Sequence, residues 1–286
     1  MTGAIQLDRL PPPDVVDPST FEQEYAKAKA KFAELWDAQR KKDPALPAID
    51  LTLESEPVVK QLQAFAYLSL MLRQRVNDAA RANFLATAKR KDLDNLGAFY
   101  GVERLILRPA QPELGIDAVY ESDDDYRERI TLAPGSFSVA GPEQAYVFHA
   151  RSASGDVLHA SATSPEPSVV VVSILARNGD GTASEELIKK VSDALTSDAV
   201  RPLTDQVFVQ SAQIVRYRVR ATLFSYAGPD PSIAMDAAMA ALDAYRTESR
   251  RLGRSVTLAG IYAALKAPGI QNVKLEEPTA DVVVDE

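Results

Sequence analysis

The 286-residue sequence predicts an α+β protein, an N-terminal helical region followed by two tandem small α+β units. Three observations carry this expectation. Through residues 21–100 apolar side chains recur at spacings of three and four, the period of a helix with one buried face. From about residue 155 the period drops to two, the pattern of half-buried strands. Beyond that point the order strand, helix, strand occurs twice, which is how a chain builds small sheets with crossovers. At roughly 150 residues per domain the length suits about two domains and can bury a core without crosslinks.

The N-terminal arm, Pro11-Pro12-Pro13-Asp14, reads as stiff and extended, because consecutive prolines fix φ and donate no backbone hydrogen bond. A helix is expected from Ser19 or Thr20, with Glu22 or Gln23 placed for a capping box, to about Lys42 before Asp43-Pro44. Along it Phe21, Tyr25, Ala28, Phe32, Leu35 and the only tryptophan, Trp36, form one stripe. Such a stripe either packs on its own domain or commits the helix to an intermolecular bundle. The proline-rich flanks, Pro11 to Pro13 and Pro44 to Pro47, favour the bundle somewhat, and they make Phe21, Tyr25, Phe32 and Trp36 candidate partner-interface residues.

A longer helix should begin near Ser55, with Pro57 in its first turn, and carry Val58, Leu62, Phe65, Leu68, Leu72, Val76 and Ala79 along one side. Tyr67, Leu70 and Met71 make its middle apolar nearly all round, so it needs cover on several sides, from this chain or from a partner. The uncharged run from Leu62 to Leu72 is too short for the roughly 20 residues of a membrane span and reads as a buried helix. Met1 to Leu10 has neither a basic start nor a hydrophobic block, so no signal peptide is expected. A third helix, Asp92 to Tyr100, should end at Gly101. Residues 1–50 are thus an arm plus amphipathic helix, and 51–108 a helical bundle region.

Residues 109–154 read as a linker with short helices. The first holds Asp123-Asp124-Asp125, with Ser122 and Asp125 as a capping box and the carboxylates favourable at a helix start. The second starts at Pro142 and carries Ala145, Phe148 and His149, the last as a partly buried packing residue. In 155–212, the first α+β unit, Val157 to Ala162 and Ser168 to Ala176 are strands joined by Ser164-Pro165-Glu166-Pro167, the second of them central. Asn178-Gly179-Asp180-Gly181 turns the chain, and Thr182 with Glu185 should cap a helix leading to the strand Gln206 to Ala212. In 213–286, the second unit, Val215 to Leu223 alternates as a half-buried strand. Gly228-Pro229-Asp230-Pro231 opens a helix from about Ser232 to Arg250, then come a helix from Thr257 to Lys266 and a strand from Ile270 to Glu276.

Composition narrows the chemistry. With no cysteine and only His149 and His159, disulfides, thiol nucleophiles, thiolate zinc sites and iron–sulfur clusters are excluded. Neither histidine stands beside a nucleophile motif, and no catalytic, cofactor-binding or metal-ligating residue is singled out. Gly179 and Gly181 have the first spacing of a dinucleotide loop, but Ser184 replaces the third glycine, no Walker lysine follows and Asp180 would oppose phosphate, so the segment reads as a tight turn. Net charge −8, from 32 basic and 40 acidic residues, argues against general binding to nucleic acid or anionic membrane. Arg216, Arg218 and Arg220 share one strand face. They either line an open sheet face and discourage stray pairing or dock an acidic protein partner. A second cluster, Arg246, Arg250, Arg251 and Arg254, suits a helix C-terminus. An acidic cytosolic enzyme with an unrecognised carboxylate pair is the rival to any purely structural role.

Several segments together resemble a known family. Leu93-Asp94-Asn95-Leu96, Tyr100-Gly101-Val102-Glu103-Arg104, Glu121-Ser122-Asp123 and Tyr126-Arg127-Glu128-Arg129-Ile130 are similar to the baseplate J-like proteins of contractile phage tails. So are Ser164-Pro165 before Val169 to Leu175, Asn178-Gly179-Asp180-Gly181, Val200-Arg201-Pro202-Leu203-Thr204-Asp205 and Leu252-Gly253-Arg254, in order and spacing. The resemblance spans about residues 50 to 280 and leaves the aromatic stripe unassigned. It implies a structural protein of the baseplate wedge, in P2-type phage tails or R-type pyocins, assembled in the bacterial cytoplasm and finally located in the tail. It further implies N-terminal helices bundled with a partner wedge protein and C-terminal units meeting copies of themselves in a ring. The implied partners are a tail protein I-like chain and a lysozyme-like wedge protein, with the sheath and central spike hub nearby. No cofactor, nucleic acid or membrane insertion is implied.

Overall fold

The computed structural model describes residues 7, 10, 11, 13–138, 140–198, 200–226 and 231–284. It has the predicted α+β character, with helices leading and small sheets following. The chain divides into two compact units, Met1–Glu103 and Arg104–Glu286. Most of Met1 to Leu10, Pro12 of the proline arm, and Gly228-Pro229-Asp230 before the seventh helix lie outside the described residues.

The first unit holds α1 (Phe21–Lys42), α2 (Pro57–Ala82) and α3 (Arg90–Ala98). Thr20 and Gln23 close the predicted capping box, each side chain taking the other's backbone N–H, at 3.3 and 3.0 Å. Pro57 sits in the first turn of α2, where its missing N–H costs nothing. The two long helices run antiparallel. Near one end Asn77 and the Asp17 backbone exchange hydrogen bonds of 2.9 and 3.1 Å, and further along Ser69 meets Glu24. Val59, Leu62 and Ala66 of α2 are buried, as are Leu93 and Gly97 of α3. Gly101 has φ +67°, the left-handed conformation expected just past a helix end.

The second unit opens with a hairpin absent from the sequence expectation, β1 (Ile106–Arg108) against β2 (Val119–Tyr120), in the segment read as linker. Then come α4 (Asp123–Ser136) and α5 (Glu143–Ala153), which pack on each other and include the buried Tyr126, Ile130, Tyr146 and Ala150. A three-stranded sheet follows in the order β3-β4-β5: β3 (Val157–Glu166), β4 (Val169–Ala176) and β5 (Gln206–Ser211). The Val-Ile-Leu strand is central as expected, antiparallel to β3 and parallel to β5 across the helix α6 (Glu185–Leu195). Its core gathers Val157, Val172, Ile174, Val191 and Leu195. Two details differ from expectation. The β3–β4 turn is tighter, at Pro167-Ser168, with Ser168 at φ +65°. And Ser184, not Thr182, caps α6, because the Ala183 N–H is drawn inward to the Ser211 hydroxyl and delays the helix start.

Beyond Ala212 a second core forms around Ala238, Ile261, Leu265, Ile270 and Val273. It is built from β6 (Arg220–Ser225), α7 (Pro231–Ser249), α8 (Leu258–Leu265) and β7 (Ile270–Glu277), with β6 and β7 antiparallel. The predicted strand from Val215 is shorter than expected, pairing only from Arg220. Register explains this: Arg220 lies opposite Glu277, and Pro278 follows, whose ring nitrogen has no hydrogen to extend the ladder. Truncating a fully buried side chain of the central strand, Ile174→Ala, is expected to cost about 2–5 kcal/mol, read as a shifted midpoint in urea denaturation followed by circular dichroism.

Candidate functional site

Among the described residues no side-chain constellation for catalysis stands out, and the candidate sites are surfaces. In the first unit the aromatic stripe resolves into two stacked pairs, Phe21 with Tyr25 at 5.8 Å and Phe32 with Trp36 at 6.0 Å between ring centres. All four rings are half-buried, and the Trp36 indole donates to the Pro47 carbonyl at 3.0 Å. The stripe therefore packs partly within its own unit, while Leu35 in the same row is exposed.

The sequence pattern did not flag Glu24, which is 5% exposed on α1. Its carboxylate accepts hydrogen bonds from Ser69 (2.6 Å), Ser19 (2.7 Å) and Lys27 (2.9 Å), with Arg73 at 3.2 Å. The Ser69, Lys27 and Ser19 bonds, aided by the Arg73 charge, hold its pKa down at about 2 against the opposing effect of burial. It thus fixes how α1 lies on α2. Only a register of two helices, not a local motif, could reveal it.

The run Leu62 to Leu72 is not the buried helix expected of it. Phe65 is 65% and Leu72 68% exposed, and Leu68, Met71, Tyr67 and Val76 are exposed with them. The row Phe65, Leu68, Leu72, Val76, at spacings of three and four, runs beside the strip of α2 that meets α1. A single neighbouring helix covers one strip of a helix that is apolar almost all round. A soluble chain rarely leaves so large a contiguous apolar face open unless it is an interaction surface.

In the second unit the strand arginines separate. Arg216 binds Asp180 at 2.7 Å, and this bond, with the Thr182 N–H, lowers the Asp180 pKa to about 2. The glycine turn is thereby occupied by its own neighbours, consistent with a turn rather than a phosphate loop. Arg220 lies 3.8 Å from Glu277, and Arg218 has no ion-pair partner among the described residues. The helix-end arginines also disperse instead of forming one patch. Arg250 donates to the Gly179 carbonyl at 2.9 Å, Arg251 to Glu128 at 2.5 Å, Arg246 lies at Asp243 and Arg254 at Glu248.

Around α4 lies a charge network that local patterning could not show. The three adjacent carboxylates each meet an arginine: Asp123 with Arg104 at 2.8 Å, Asp124 with Arg127 at 2.6 Å and Asp125 with Arg177 at 2.7 Å. Among the described residues no group of three or more acidic and histidine side chains is arranged to hold a metal ion. Glu121 and Arg129, both 3% exposed, pair through two hydrogen bonds of 2.5 and 3.1 Å. Glu128 sits between Arg151 (2.9 Å) and Arg251. Next to them His159 is half-buried, its buried Nδ1 without a hydrogen-bond partner among the described residues, and desolvation first, then the Arg151 charge, pushes its pKa down to about 4. His149 is half-buried against Phe148, a packing residue as expected, with its pKa lowered by burial.

The chain is thus a helix-led α+β protein in which many charges pair with one another and one face of α2 is apolar and exposed. Three family models match it in order: the baseplate J-like N-terminal domain over residues 54–111, the central domain over 138–211 and the C-terminal domain over 217–286. The chain is also 47% identical over 283 residues to baseplate protein J of Escherichia phage P2, covering 98% of this chain and 93% of that protein. It belongs to the baseplate J-like family, and membership supports a structural role in a phage baseplate.

Two outcomes test the network. Arg129→Met leaves Glu121 buried without its counter-charge and is expected to cost about 3–5 kcal/mol in denaturant unfolding. For His159, the ordinary imidazole pKa is about 6.5 while burial holds the folded one down at about 4, so between them the unfolded chain holds more protons. Stability should therefore fall as pH drops from about 6.5 to about 4, by on the order of 3 kcal/mol, and His159→Phe should remove that slope in melts run across the range.

Proposed function

We propose that this chain is a structural component of the baseplate wedge of a contractile injection apparatus, a phage tail or an R-type bacteriocin. It links central hub and sheath and rearranges on contraction, a shift between two packings rather than bond chemistry. The observation that carries the proposal is the open apolar row of α2, Phe65 to Val76, on a chain 47% identical to a phage baseplate protein. A helix that is apolar on two strips and covered on one gains most by joining a bundle, and obligate interfaces of this kind bury roughly 2,000 Å² or more.

The division of labour follows the segments. Residues 1–50 and 51–108 bundle with a tail protein I-like partner, using the α2 row together with Phe21, Tyr25, Phe32 and Trp36. Residues 109–154 connect, and the units 155–212 and 213–286 meet copies of this chain in a ring, with Arg216, Arg218 and Arg220 as a docking surface. A lysozyme-like wedge protein, the sheath and the spike hub lie nearby. The protein acts without turnover, cofactor, nucleic acid or membrane insertion. No helix among the described residues is long and apolar enough to cross a membrane. Assembly takes place in the bacterial cytoplasm, and the final location is the tail baseplate.

The test is complementation of a tail-forming system that lacks this protein, scored by electron microscopy of particles. Leu68→Glu with Leu72→Glu alters only exposed positions, so the purified chain should melt as the parent does while no complete particles form. Phe32→Asp with Trp36→Asp should block assembly and leave the second unit folded. Normal particles from both double variants, or a metal- or substrate-dependent turnover by the parent chain, would overturn the proposal.

A further inference from the structure

From Gln213 to Val219 the backbone lies outside every strand ladder of the described residues. Among the described residues none of its N–H or C=O groups joins a backbone–backbone hydrogen bond, although its side chains alternate as a strand's do. Seven extended residues span about 23 Å, a long stretch of main chain to leave to water. Both ends are nonetheless fixed. The Ala212 N–H is bonded to the Ile174 carbonyl at 2.9 Å, and Ile214 lies so close to Gly181 that an added Cβ there would stand 3.2 Å from its Cδ1. Arg216 is tied to Asp180, and Val219 packs on the second core. Between these anchors Val215 is 50% and Tyr217 36% exposed. The segment runs directly into β6, which pairs with β7 alone among the described residues, so one edge is open from Gln213 through Ser225.

We propose that this segment is an unfilled place in the β6–β7 sheet, completed by an extended strand of another protein whose residues alternate apolar and acidic. The proposal rests on the reading of the arginine strand as a docking surface and gives that surface its mode of recognition, strand addition. Main-chain bonds supply the attraction, and a segment already held extended loses little freedom on binding. The side chains supply selection. An incoming strand places alternate residues along the row of Arg216, Arg218 and Arg220, where acids are favourable and bases repelled above all at Arg218, since Arg216 already holds Asp180 and Arg220 lies near Glu277. A second copy of the same segment is a poor occupant, since self-pairing sets arginine against arginine. The arginines thus serve both roles open to them: they bar most strands from an exposed edge and admit an acidic one.

Hydrogen exchange of the full chain, read by mass spectrometry, tests this with a short peptide alternating valine and glutamate and a control alternating valine and lysine. In the free chain the amides of Val215 to Val219 should exchange with little protection, and the glutamate peptide should slow them roughly tenfold or more while the lysine peptide does not. Tyr217→Pro should abolish the protection without changing the melt of the chain, and Arg218→Glu should weaken it. Equal protection by both peptides, or none, overturns the proposal, as does protection that appears without peptide as the chain is concentrated, which would assign the edge to a second copy. If the glutamate peptide gives no protection while Arg216→Glu with Arg218→Glu still keeps the chain out of particles, strand addition fails and the docking surface stands.

Discussion

The buried pair Glu121–Arg129 is the interaction on which the second unit's architecture turns. A carboxylate and a guanidinium that are both 3% exposed are stable together only if every remaining donor and acceptor is satisfied, so the surrounding elements must hold still. Glu121 Oε1 also takes the Leu105 N–H at 2.9 Å, and Arg129 also donates to Ser152 at 3.0 Å, so the pair binds the β1–β2 hairpin, α4 and α5 at one point. Earlier in α4, Asp125 reaches Arg177 just past β4, and Glu128 reaches Arg151 in α5 and Arg251 beyond α7. One helix is therefore the polar junction of the unit. Arginine suits the task because its planar fork stays charged when buried and bonds two oxygens at once.

The two units leave different things unfinished. The first has an apolar helix face with no helix against it among the described residues, a demand that an amphipathic helix of matching shape could meet. The second has an open strand edge flanked by cations, which asks for backbone pairing and a particular sign of charge. Surfaces of the first kind give affinity through buried area, and those of the second give selectivity. A chain that offers both can hold one partner firmly and discriminate among others, which is what an assembly subunit requires.

Much of the fold was legible because helices and strands advertise themselves locally. The capping residues Thr20 and Gln23, Pro57 in the first turn of α2, Gly101 after α3 and the Val-Ile-Leu run of β4 each obey a rule that acts within a few residues. The errors share a cause of the opposite kind. Thr182 lost the cap of α6 to Ser184 because Ser211, far along the chain, captures the Ala183 N–H. The strand from Val215 lost its first residues because β7 ends at Glu277 before it can pair with them.

What the sequence determined by itself was therefore the inventory: which segments are helix or strand, which chemistry is impossible without cysteine, and which family supplies the order of motifs. Tertiary structure alone decided which faces are spent and which remain. Glu24, Glu121 and Arg129 look like ordinary surface charges in the sequence, yet folding buries them with partners up to 45 residues away. Phe65, Leu68 and Leu72 look like core, yet they stay in solvent. The reason is geometric. Periodicity states that a face is apolar or charged, but whether another element arrives to cover it depends on packing between segments distant in the chain, which no local pattern encodes.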